Sequence, residues 1–82
     1  MSTSPKPRYR ADDELITVLS RWLARHLGDA DLRRELSAAD LEELSAEQLE
    51  AVRELVDELD RGGSGGELEM VVRETIEALA LG

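Results

Sequence analysis

Cysteine is absent from this 82-residue chain, and so is phenylalanine. Without thiols neither a disulfide framework nor a thiolate metal site can form. One Trp and one Tyr are the only aromatics, so a core must be aliphatic, and fourteen leucines are there to build it. Such packing rearranges easily, and a second copy or a partner would complete it. No apolar run approaches the roughly 20 residues of a membrane span. The opening MSTSPKPRYR has no apolar stretch of the kind a secretory signal carries. The expectation is a soluble cytoplasmic protein with no membrane partner. Apolar residues nowhere alternate over a useful length, so no strand is expected.

Histidine is almost as scarce, and catalysis needs acid–base or nucleophilic groups converging in a cleft. His26, the only one, falls four residues after Trp22 on an apolar helical face, which predicts a side chain packed at the core rim. Alone it cannot make a histidine-rich zinc site. Asp57 and Asp60 are spaced closely enough to suggest calcium or paired acid–base work. A calcium loop, however, needs a turning backbone with a central glycine, and these acids lie in a helical pattern. Glycosidase-like use would need a cleft that so short a chain can hardly enclose. Gly62, Gly63, Gly65 and Gly66 are not followed by Lys-Ser or Lys-Thr and are not a phosphate loop. The residues therefore predict no enzyme, no cofactor and no metal.

What the chain has in quantity is helical patterning. Ser45-Ala46-Glu47-Gln48 is a capping box: the Ser hydroxyl accepts from a first-turn N–H, and Gln48 reaches back to the cap residue's own N–H. Leu49, Val52, Leu55, Val56 and Leu59 then recur at spacings of three and four, on one face. Asp12, Asp13 and Glu14 open an earlier helix. Its face is Leu15, Ile16, Leu19, Trp22, Leu23, His26 and Leu27, and Gly28 is expected to end it. DADLRREL, with Asp29 as cap, and a start at Ser37-Ala38-Ala39-Asp40 predict two short pieces, helical only because longer helices cover them. RGGSGG, from Arg61 to Gly66, reads as a flexible connector, resembling a laboratory linker, that lets the last helix turn back antiparallel. Leu68, Val71, Val72, Thr75, Ile76 and Leu79 are that helix's stripe. The fold class is all-α, a small bundle of four or five helices, with long helices near 12–27, 46–61 and 67–80. Residues 11–82 form the bundle domain. Residues 1–10, with Tyr9 their one aromatic, read as a disordered basic tail or as an arm folded back on the acidic helix.

Charge is abundant and uneven. The net charge is −9. Residues 1–10 carry Lys6, Arg8 and Arg10 without an acid, whereas residues 40–60 hold nine acids against Arg53 alone. Such a surface repels phosphate backbones, which argues against nucleic acid and for a protein partner with a basic surface. The residues expected to meet it are Glu43, Glu47, Glu50, Glu54, Asp57 and Glu58. Acids on an exposed face also keep a small protein soluble. A Leu-rich bundle this small gains by doubling its core, so self-association is a further expectation.

Three resemblances follow from the same residues. Leu27-Gly28 through LEELSAEQLEAV resembles acyl and peptidyl carrier proteins, small acidic bundles whose second helix opens with Asp-Ser-Leu. Glu47-Gln48-Leu49 stands where that motif falls, and Gln48 has no hydroxyl for a phosphopantetheine arm. The resemblance thus implies the bundle without its prosthetic group. LSAEQLE followed by Gly-Gly is similar to leaders of ribosomally made peptide precursors, which implies a carrier-like or precursor chain acted on by biosynthetic enzymes. Here, though, an amphipathic helix follows the glycines. The outline of short helices before a late helix pair is similar to death-fold adaptors and implies homotypic association. Composition, charge and the capped helix together point to a non-enzymatic protein-interaction module, an adaptor or accessory subunit.

Overall fold

A computed structural model describes residues 11–62 and 65–82. The tail at 1–10 and the middle of the glycine connector lie outside the described residues. Four helices follow in order: α1 Ala11–Leu23, α2 Asp29–Ala38, α3 Ala46–Asp60 and α4 Gly65–Leu81, with a 3-10 turn at Leu41–Glu43 before α3. Among the described residues there is no strand. The chain is an all-α bundle, as the periodicities require.

The first helix stops four residues short of its expected end. Beyond Leu23 the His26 N–H donates to the Arg21 carbonyl and the Arg25 N–H to the Trp22 carbonyl, both at 2.9 Å. This is the paired-bond ending of a Schellman motif, with Arg25 at the left-handed position, φ 67°. The turn lifts His26 out of the helical face and into solvent, which corrects the expectation of a packed histidine. Apolar periodicity continues to Leu27, but periodicity cannot register where the backbone changes hand. A Cβ in the left-handed region is strained, so Arg25→Gly is expected to stabilise the fold by about 0.5–1 kcal/mol. A raised urea midpoint with an unchanged denaturant slope would show it.

Gly28, expected to end α1, instead caps α2 without a side-chain hydrogen bond. Asp29 does not cap: its Oδ1 accepts from Trp22 Nε1 at 2.7 Å, pinning the start of α2 to the end of α1. Ser37 starts no helix, because its Oγ accepts from Arg33 Nη1 at 2.6 Å. The next start is capped by Asp40, which accepts from the Glu42 N–H at 3.3 Å. For α3 the expected box is present in full. Ser45 N–H donates to Gln48 Oε1 at 2.9 Å, and Gln48 N–H donates to Ser45 Oγ at 3.2 Å. The helix ends at Asp60 with Arg61 as its C-cap, and Gly62 follows at φ 70°, where a Cβ would be strained, donating to the Leu59 carbonyl.

α3 and α4 run antiparallel. Gln48 Nε2 reaches the Leu79 carbonyl, and Thr75 Oγ1 lies 3.4 Å from the Ala51 carbonyl. The residue numbers rise on one helix as they fall on the other. α4 begins at Gly65, inside the glycine run, so the connector is shorter than its composition suggests. The core takes leucines or valines from every helix: Leu15 and Leu19, Leu32 and Leu36, Val52 and Leu55, then Leu68, Val72 and Leu79. Thr75 is buried among them, its hydroxyl donating to the Val71 carbonyl at 2.8 Å. The ridge spacing of three and four thus delivers one apolar row per helix to a common centre.

Candidate functional site

With Val52 and Leu55 turned into the core, residues 47, 50, 54 and 57 fall on the opposite side of α3, three and four apart. Glu47, Glu50, Glu54 and Asp57 are all exposed there, and Glu43 extends the row from the 3-10 turn. Among the described residues none of these five carboxylates takes part in a side-chain hydrogen bond or ion pair. The nearby Asp60 does, accepting from Arg33 Nε at 3.0 Å and so tying α3 to α2.

Glu58 does not belong to this face. Its residue is only 7 % exposed, and Oε1 accepts from Arg61 Nη2 at 2.7 Å. That bond and the carboxylate's charge hold the Arg61 guanidinium above its ordinary value. Glu58 follows Leu55 by three positions, so it sits on the edge of the packed face, and a period-3.6 count with every acid assigned outward misplaces it. The exposed set is five acids, not six.

Gln48 is the polar residue that sequence reasoning used only in part. It is 3 % exposed. Beyond the capping box, its Nε2 donates to the Leu79 carbonyl at 3.0 Å and lies 3.5 Å from Asp12 Oδ2. The last carbonyls of a helix have no intrahelical donor, so Gln48 closes the end of α4 while opening α3. Its place directly before Leu49, on the inward side of a capped helix, is the one sequence signal for this second role. Gln48, where the carrier motif would put its serine, is not presented to solvent.

At the far end of α1 an open hollow of about 720 Å³ lies between the 24–28 turn and the first turn of α4. His26, Asp29 and Glu69 all border it. Both acids are engaged elsewhere, Asp29 with the Trp22 indole and Glu69 with Arg73 Nη2 at 2.9 Å. His26 has no carboxylate partner among the described residues, and no acid–base pair converges. Nor does any group of three or more His, Asp or Glu among the described residues have the arrangement to hold a metal ion.

No family model, curated protein or solved structure matches the chain. The residues themselves therefore carry the functional reading. Among the described residues no helix is long and apolar enough to cross a membrane.

Proposed function

We propose that the chain is a non-enzymatic protein-interaction module, an adaptor or accessory subunit, whose α3 outer face meets a basic protein surface. The observation that carries this is the row Glu47, Glu50, Glu54 and Asp57, exposed and without ion-pair partners among the described residues. The row works against its own helix. Like charges three and four apart destabilise a helix by about 0.2–0.5 kcal/mol per pair. Asp57 lies near the negative end of the macrodipole, where a cation is preferred, and the last turn holds no base. In α1, by contrast, acids occupy the first turn and Arg21 the last. Solubility needs net charge away from zero but not acids gathered in one row, so a same-sign row that costs stability fits a surface kept for an oppositely charged partner. Complementary charge of this kind raises association rate and selects partners more than it deepens affinity.

Reversing Glu47, Glu50, Glu54 and Asp57 to Lys should abolish capture of the partner while leaving helicity intact. The immobilised chain and its reversed variant are compared on extracts of the source cells. A protein retained by the first, eluted by salt and absent from the second is the expected result. Retention of the same proteins by both, with circular dichroism unchanged, would remove the acidic face from the reading.

A further inference from the structure

We propose that the hollow at the far end of α1 binds a small organic monoanion, a carboxylate on an apolar chain, with Arg25 holding the carboxylate and Trp22, Leu23 and Leu27 receiving the chain. Among the described arginines, Arg33, Arg34, Arg61 and Arg73 each pair with an acid. Arg25 borders the hollow, is exposed, and has no such partner among the described residues. It also takes the left-handed position that ends α1, φ 67°, where glycine would be unstrained. Residues held in sparsely populated backbone regions cluster at ligand sites. The turn thus sets a free guanidinium, against its own backbone preference, at the edge of a cavity.

Size and lining agree with such a ligand. The volume of about 720 Å³ falls within the roughly 300–1,000 Å³ of small-molecule sites. Trp22, Leu23 and Leu27 line it and are only partly buried, which leaves apolar surface for a chain to cover. The Trp22 ring is fixed in advance, because Nε1 donates to Asp29 Oδ1 at 2.7 Å, and a preformed wall lowers the ordering cost of binding. Arg25 offers parallel N–H donors that match the two oxygens of a carboxylate. The exposed His26 beside it adds a ring N–H. The sign of the ligand follows from what the border leaves uncompensated. Asp29 already accepts from the indole and Glu69 from Arg73, whereas Arg25 has no acid. Those two carboxylates stay on the border and repel a second negative charge, which favours a monoanion over phosphate. None of these residues belongs to the acidic row of α3, so the inference stands apart from the adaptor reading.

Trp22 is the only tryptophan, so its fluorescence reports the hollow directly in the full chain. Titration with octanoate should saturate with a dissociation constant of about 1 mM or tighter. Acetate, which lacks the chain, and octan-1-ol, which lacks the charge, should each bind at least about tenfold more weakly. Amide shifts on adding octanoate should centre on residues 22–29 and 66–69. Arg25→Gly should weaken octanoate by about tenfold or more while raising the urea midpoint, so lost binding cannot be lost folding. Octan-1-ol binding as tightly as octanoate, or affinity unchanged in Arg25→Gly, would remove the guanidinium from the site. Octylammonium binding more tightly than octanoate would reverse the sign and overturn the proposal. So would inorganic phosphate binding as tightly as octanoate, shifts centred elsewhere, or no saturable change by about 10 mM octanoate.

Discussion

Leu55→Ala is expected to lose about 3 kcal/mol of folding stability, enough to bring the bundle near its unfolding threshold. Leu55 is fully enclosed, in a core cluster that it shares with Val52 of its own helix and with leucines or valines from the other three. Truncating a buried leucine removes its transfer free energy and leaves a cavity, together about 2–5 kcal/mol. The roughly 70 described residues account for only about 3.5–10 kcal/mol of stability. Among the described residues the one large aromatic ring is Trp22, and Asp29 holds it, so none of them supplies a ring to fill the space. Leu81→Ala is the contrast: at 87 % exposure it should change stability by less than about 0.5 kcal/mol. Urea titrations of both variants, followed by far-UV dichroism, decide the matter. A Leu55→Ala loss below about 1 kcal/mol would show that the aliphatic core collapses around the gap and is not specifically packed.

The elements readable in advance were those in which one signal does one job. Ser45 and Gln48 close the capping box because both partners lie within the same four residues. Val52, Leu55, Val72 and Leu79 fall inward because the period that forms the helix also forms its stripe. Errors arose where a side chain serves a distant partner or where the backbone changes hand. Asp29 looked like a cap, but the indole of Trp22, seven residues back, takes its carboxylate. Arg25 gave no warning of a left-handed turn, since that conformation normally announces itself as glycine or asparagine. Glu58 was placed outward by its charge, although its Arg61 partner and its position three after Leu55 permit burial. Of the candidate surface, the row 47, 50, 54 and 57 was legible because its spacing matches one side of a helix. The junction at Gln48 was legible only in its local half, since nothing local in the sequence indicates that the end of α4 arrives there.

That junction supports the second large prediction. Gln48→Ala is expected to cost about 2–3 kcal/mol, more than the usual loss of a capping side chain, which is about 1 kcal/mol. Two contributions add to the cap. The Leu79 carbonyl loses its donor at a buried position, where an unsatisfied group costs about 1–3 kcal/mol. The volume vacated at a residue 3 % exposed adds a small cavity. Gln48→Glu separates the roles: an Oε atom still accepts from the Ser45 N–H, but no donor remains for the Leu79 carbonyl, and a second carboxylate is brought beside Asp12. If closing α4 matters more than opening α3, Gln48→Glu at neutral pH is at least as damaging as Gln48→Ala. If the capping box matters more, Gln48→Glu is the milder change. Hydrogen exchange locates the effect, because a break at the junction speeds exchange in the last turn of α4, about 30 residues away in sequence, as well as at Ser45. Exchange that quickens only in the first turn of α3 would reduce Gln48 to a local cap. In that case the α1, α3 and α4 ends meet without this amide holding them together.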